Sequence, residues 1–395
     1  MDPVKKMETI YNIRKYYVYN FLINAMFHTP VFVLLFQGMG LSLTSIMFLQ
    51  SIAFVTVFLF EVPSGALADL WGRKKTIMLG AGLMALAYLT LYTVGNFWLL
   101  LAGFFLLGTG RSFCSGADTA FIYDSLSQDD MEPVFKKVKG TGFAMFLFGS
   151  VVAAVIGGYA GSFDLRIPYL FTAAAMALAF VVIITFKEPK NLKNLTVKHY
   201  FLQIRDGVSF AFHHPRVMWL TLFSGFVLSF YISRLLLQQP FMGNMGIDIA
   251  WFGWIYAVLF LVSGVVSHYA QEIEQRIGEE RSFVLIGGLM VISFIVLGLF
   301  PSYLWVISFL FLQQFVIGYY DPVFSDYINR LVTFDKRATV LSVRSLVGTV
   351  IGFFVLVGTG LLSDVYGIGN TFVFSGLVLL AVFAGLIWSQ KRMEV

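Results

Sequence analysis

The chain has 395 residues, of which 58% are hydrophobic and 12% charged, whereas soluble domains run at about 45–50% and about 25%. A water-soluble fold could not cover that much apolar surface, so a polytopic membrane protein is predicted. A single cysteine, Cys114, excludes a disulfide framework and a zinc cluster, and the net charge of +5 reads as a topology signal, with no nucleic-acid partner expected.

A polar start, Met1–Lys15, runs into the first apolar stretch without a small-residue cleavage site, so no removable signal peptide is expected. Runs of about 20 apolar residues, enough to cross about 30 Å of hydrocarbon, fall at 16–36, 45–68, 76–94, 97–123, 141–161, 168–186, 217–239, 250–269, 282–300, 302–327, 338–362 and 370–388. The fold class that follows is an all-α membrane protein with twelve transmembrane helices. Short cytoplasmic loops collect Lys and Arg, and 23 of the 27 basic residues fall on one side of these spans, among them Arg73, Lys74, Lys75, Lys136, Lys137 and Lys139. Only Arg166 lies on the other side, while Arg111, Arg234 and Arg344 sit within spans. Both termini are therefore expected in the cytoplasm, with the chain in the cell (inner) membrane among its lipids.

The longest inside stretch, 187–216, separates an N-terminal six-helix bundle (1–186) from a C-terminal one (217–395). Within it Val197, Phe201, Ile204, Val208 and Phe212 recur at helical spacing, the pattern of an amphipathic surface helix. The two bundles are predicted to be pseudo-symmetric. Trp71–Gly80 lies over Ile277–Ile286 at an offset of 206, and Ile122–Leu126 lies over Ile328–Leu331 at a nearby offset of 205, which sets Asp124 against Asn329.

Between the second and third spans the chain reads Gly65-Ala-Leu-Ala-Asp69-Leu-Trp-Gly72-Arg73-Lys74-Lys75. Glycines there permit a tight turn and close helix approach, while Asp69 and Arg73 can form breakable charge contacts. This run resembles the signature of the major facilitator superfamily, and the resemblance covers the whole chain. It implies that Gly65, Asp69, Gly72 and Arg73 form a cytoplasmic gate, Arg73 pairing with Asp124 and Asp69 facing the start of the eleventh span near Ala338. Other family patterns are altered. The usual fourth-span arginine position falls on Gly103, with an arginine at Arg111 instead, and the fifth span carries Gly149, Ala153, Ala154, Gly157 and Gly158 without the Gly-Pro of proton-antiport exporters.

Ionisable groups within a membrane are costly and mark function. Glu61, Asp118 and Asp321 are candidates for proton coupling. Glu61 precedes Pro63 and lies about 12 Å deeper than Asp69 at 1.5 Å per residue, while Arg111 and Asp118, seven apart, are expected on nearly one face. The resemblance further implies that the first, fourth, seventh and tenth spans line a solute cavity. Candidate solute contacts there are Asn24 and His28, which with Asn20 form a stripe at i, i+4, i+8, and Arg111, Tyr231, Arg234, Gln238, Gln313 and Tyr320. No nucleotide-binding loop, nucleophile with a base, or metal-ligand set is present, so no enzyme activity and no cofactor is expected. The predicted function is secondary active transport of a small solute by a monomer, as proton-coupled export of amphipathic or cationic molecules. A carrier of an organic anion or zwitterion is the alternative, and a non-transporting receptor the alternative class.

Overall fold

Apolar segments that leave water must bond every backbone N–H and C=O internally, and a helix does this within one segment. The computed structural model describes residues 3–93, 96–189, 214–331 and 334–393, and among them there is no strand. In order the helices are α1 (Pro3–Ile23), α2 (Phe32–Gly38), α3 (Leu43–Trp71), α4 (Arg73–Thr93), α5 (Phe97–Cys114), α6 (Ala117–Ser127), α7 (Phe135–Phe163) and α8 (Ile167–Ile184). After the linker come α9 (Pro215–Asn244), α10 (Ile249–Ile277), α11 (Glu279–Leu299), α12 (Tyr303–Leu331), α13 (Phe334–Tyr366) and α14 (Ile368–Met393). Among the described residues eleven segments are long and apolar enough to cross a bilayer, α5 and α6 together counting as one. The remaining predicted span, the first, is divided between α1 and α2. The amphipathic pattern at Val197–Phe212 lies outside the described residues.

Two spans predicted as continuous are broken. Pro30 has no N–H to give the preceding turn, and α1 ends at Ile23 before a 3-10 turn, Thr29–Val31, leads into α2. Asn24 Nδ2 folds back onto the Asn20 carbonyl at 2.9 Å, and the His28 N–H goes to Thr172 Oγ1 of α8 at 3.2 Å. The expected stripe at i, i+4, i+8 therefore stops at Asn24, with His28 beyond the break. The fourth span is interrupted between α5 and α6, where Ser115 is extended and Gly116 takes φ 77°, a conformation glycine adopts without steric cost.

The duplication is written into the helix bounds. Leu43–Trp71 recurs as Ile249–Ile277 and Arg73–Thr93 as Glu279–Leu299, each 206 residues on, and the intervening Gly72 and Gly278 both have positive φ, 101° and 81°. Because this offset holds without a gap, Arg330 stands opposite Asp124, which corrects the register of 205 that matched Asp124 to Asn329. Contacts divide the chain into two units, one of residues 1–35, 52–197 and 248–257, the other of 36–51, 198–247 and 258–395. In the first, α4 packs on α5 and α8 and α1 on α7; in the second, α11 packs on α14 and α9 on α13, the same pairings one repeat later.

The first turn of α3 belongs to the second unit, and its N–H groups show why. Asp364 of α13 accepts from Leu43 N and Thr44 N at 2.9 Å each and from Thr44 Oγ1 at 2.6 Å. Ser42 Oγ accepts from Ser45 N at 3.2 Å, so the donors that a helix start leaves without intrahelical partners are satisfied. In the first unit the corresponding contact has no acid: Gly158 of α7 lies directly against the Gly253 backbone of α10.

Candidate functional site

The family-like turn opens α4 with three cations in a row, Arg73, Lys74 and Lys75, at the helix end whose dipole disfavours positive charge. Three carboxylates offset this. Arg73 Nη2 reaches Asp69 Oδ1 at 2.7 Å and Arg73 Nε reaches Asp124 Oδ2 of α6 at 3.4 Å. The third carboxylate, Glu188, comes from the chain just past α8 and accepts the Lys74 N–H at 3.0 Å. A Cβ built on Gly72 would lie 2.9 Å from the Glu188 carboxyl carbon, so the glycine supplies both the positive φ and the room for the acid. Glu188 is largely exposed, yet the part of its carboxyl buried against this turn holds its pKa above the ordinary carboxylate value, the Lys74 and Arg73 N–H groups and nearby lysines pulling the other way. Gly65 lies one turn before Asp69 on α3. The predicted approach of Asp69 to Ala338 involves side chains outside the described residues.

At the α5–α6 break the structure assembles a second polar group from three spans. Lys139 Nζ of α7 donates to Thr119 Oγ1 at 2.8 Å and to Tyr16 OH of α1 at 3.3 Å. Thr119 Oγ1 donates in turn to Asp118 Oδ1 at 3.1 Å, and Thr119 N donates to the same oxygen at 2.5 Å. An ammonium is thus linked to a carboxylate through one hydroxyl. Lys139, assigned from sequence to a loop, lies inside α7, which begins at Phe135; the hydropathy minimum at Lys136–Lys139 hid the helical turn that points it inward. Arg111 makes no ion pair with Asp118, because the break lies between them; it is exposed.

Other predicted residues of the first unit are more closely packed. His28 is buried, its Nδ1 3.3 Å from Thr172 Oγ1 and its ring 4.7 Å and 5.1 Å from those of Tyr88 and Tyr169. Glu61 is half-buried one turn from Ser64, whose hydroxyl bonds the Glu61 carbonyl at 3.0 Å and Ser112 Oγ at 3.2 Å.

In the second unit Arg234 and Gln238 are both buried on α9 and bonded to each other, with the guanidinium 4.9 Å from the Tyr231 ring centre. Tyr231 OH donates to Gln314 Oε1 at 3.2 Å, and Gln313 Nε2 donates to Ser293 Oγ at 2.8 Å. Tyr320 is buried between Ser224 of α9 and Arg344 of α13, while the adjacent Asp321 is exposed. Ser224 was not singled out from the sequence; Arg344 was, as a charge within a span, and only helix packing brings both to Tyr320. No group of three or more metal-ligating side chains occurs among the described residues.

The profile of the Major Facilitator Superfamily matches residues 17–239 and 226–393. The chain belongs to the major facilitator superfamily. It is an integral membrane protein of a transporter family, and it is not an enzyme. An uncharacterized MFS-type transporter of Bacillus subtilis (strain 168), YxaM, is 20% identical over 362 residues, 89% of either chain. Multidrug resistance protein 2 of the same organism is 22% identical over 92% of this chain and 91% of the relative, and the class E tetracycline resistance protein of Escherichia coli is 29% identical over 46% and 43%. Among solved structures, a mutant of the nucleoside transporter NupG superposes with a TM-score of 0.80 at 15% identity, over 95% of this chain and 99% of that one. An inward-facing bacterial homologue of the lysosomal transporter Spinster gives 0.76 at 16%, over 99% and 98%. At these identities the superpositions speak for the fold alone.

Proposed function

We propose that this chain is a secondary active transporter that exports amphipathic organic molecules in exchange for protons by alternating access, with both termini in the cytoplasm of the cell's inner membrane. The observation that carries the reading is the chain of hydrogen bonds from Lys139 through Thr119 to Asp118 at the broken fourth span. Irregular backbone within a membrane is tolerated where it is buried in protein or lines water, and a carboxylate there whose charge is supported by an ammonium has two stable arrangements. Deprotonated, Asp118 accepts from Thr119 and the Lys139 charge is balanced. Protonated, Asp118 loses its charge and becomes a donor, and the Lys139 ammonium, still bonded to Tyr16 OH and Thr119 Oγ1, is left without its counter-charge. Loading and unloading a proton therefore reorganises α1, α6 and α7 together, and Glu61 on α3 and the exposed Asp321 are the further carboxyls available for coupling. Arg73, Asp69 and Asp124 form the breakable contacts of the cytoplasmic gate. Export, as opposed to uptake, is supported by the multidrug and tetracycline resistance proteins among the relatives.

Proteoliposomes holding purified protein, with a pH step imposed across the membrane and a hydrophobic dye as probe, test the reading. Asp118→Asn and Glu61→Gln are expected to reduce pH-driven dye movement at least about tenfold, the scale of one lost charge-assisted interaction, while dye counterflow without a gradient continues. Wild-type pH-driven flux in both variants rules out the coupling roles, and absence of pH-driven flux in the native protein across a dye panel rules out proton-driven export.

A further inference from the structure

Arg344 lies ten residues into α13, about 15 Å from the Phe334 end at 1.5 Å per residue, and within Val340–Tyr366, which is apolar enough to cross a bilayer. Its guanidinium is gripped from two other helices. Nε donates to Ser224 Oγ of α9 and Nη2 to Tyr320 OH of α12, both at 2.8 Å, and the two hydroxyls bond each other at 2.5 Å. The Tyr320 ring centre lies 5.9 Å from the guanidinium carbon.

Both partners are neutral. Arg73 meets Asp69 and Asp124, Arg216 meets Glu279, and Arg330 meets Asp326, but no carboxylate of the described residues lies within 4.0 Å of Arg344. Asp321, next to Tyr320, is exposed and outside that range. A permanent charge held away from bulk water is costly without a counter-charge, and a neutral amide could bridge two hydroxyls without that cost. The guanidinium brings something an amide lacks: a flat fork of N–H donors matched to two oxygens of one anion. Ser224 and Tyr320 occupy the Nε–Nη2 edge and so fix the guanidinium plane, leaving the N–H donors of the Nη1–Nη2 edge as the fork, and the side chain remains only half-buried.

We propose that Arg344, clamped by Ser224 and Tyr320, receives the anionic group of the transported solute, so that the chain carries amphipathic organic anions or zwitterions in preference to simple cations. The inference rests on the transporter reading above and adds the charge of the solute to it.

Binding to the purified full-length protein in detergent tests this with matched probes: 2-naphthoate and naphthalene-2-sulfonate, their neutral amides 2-naphthamide and naphthalene-2-sulfonamide, and the cation tetraphenylphosphonium. The anions are expected to bind at least about tenfold more tightly than their amides, and Arg344→Gln to weaken anion binding about 10- to 100-fold, the worth of a charge-assisted hydrogen-bonded contact. Arg344→Lys is expected to recover part of the loss, since the charge returns without the fork. Tyr320→Phe keeps the charge and frees the fork; its expected loss of about threefold or more separates recognition from mere folding if Arg344→Gln is unstable. Amides that bind as tightly as the anions, an Arg344→Gln protein of native anion affinity, or no anion binding by the native protein each overturn the proposal. The pH-driven flux of tetraphenylphosphonium distinguishes the two readings. Flux without anion binding removes the Arg344 role and leaves coupled export standing, whereas Arg344-dependent anion binding without pH-driven flux of any probe retains that role and removes coupled export.

Discussion

Replacing Gly72 by alanine tests whether the turn between α3 and α4 is held in the way the geometry indicates. At φ 101° a residue with a Cβ is strained by about 1–3 kcal/mol. The new methyl would also lie 2.9 Å from the Glu188 carboxyl, so the acid must leave the Lys74 N–H. A bond to a charged acceptor is worth about 1.5–3 kcal/mol, which the exposure of Glu188 reduces to about 1 kcal/mol. The sum is roughly 2–4 kcal/mol, on the order of a 5 °C fall in melting temperature for a chain of this size. Cys114, buried and the only cysteine, makes a built-in reporter: a thiol-reactive dye registers it when the first unit opens. In a Glu188→Ala background the collision is absent, and Gly72→Ala should cost only the backbone strain, about 1–3 kcal/mol. Gly140→Ala in α7, where a Cβ meets nothing within 4 Å, is the control and should be neutral or stabilising by about 0.5–1 kcal/mol. Equal melting of the Gly72→Ala and native proteins refutes the reasoning, and an unchanged cost after removal of Glu188 refutes the part assigned to the acid.

Asp69→Asn and Arg73→Ala should cut transport at least about fivefold while solute affinity and melting stay near native, because they act on a state equilibrium; normal flux in both removes the gate. Asp364→Ala removes three hydrogen bonds from the first turn of α3 and should cost that turn about 1–2 kcal/mol, read as faster hydrogen exchange at Leu43 and Thr44 with little change in the middle of the helix. The raised pKa of Glu188 means that the folded protein holds this proton at pH values where the unfolded chain has lost it. Its contribution therefore favours folding below the unfolded value, near 4.3, and declines as pH rises through the folded one. Melting temperatures followed upward from pH 4 should show this fall in the native protein and less of it in Glu188→Gln; parallel curves would exclude Glu188 as the titrating group.

Much of the architecture was legible in the chain because it depends on short-range regularities. A stretch apolar over about 20 residues has to be a helix once water is absent, and the alternation of Lys and Arg indexed the spans without reference to structure. Gly72 and Arg73 were recognisable because a turn needing positive φ and a cation paired with Asp69 and Asp124 occur together in a fixed pattern. The repeat was visible at Trp71–Gly80, where the motif kept its glycine, but blurred at Asp124, whose counterpart is an arginine of opposite charge.

What the tertiary structure alone decided concerns groups whose partners lie far off in sequence. Glu188 reads as a loop acid until α8 brings it to the start of α4. Lys139 reads as a loop cation until α7 turns it toward Tyr16 and Thr119. The first span reads as continuous through Pro30, and only the structure shows the break there, with Thr172, 144 residues from His28, satisfying the freed N–H. Arg344 was visible as a charge in an apolar run; that its clamps are two neutral hydroxyls from α9 and α12, and not an acid, depends on helix packing. Hydropathy and motif are properties of neighbours along the chain, whereas the environment of a membrane charge is set by which helix faces meet, and one sequence without its contacts does not contain that pairing.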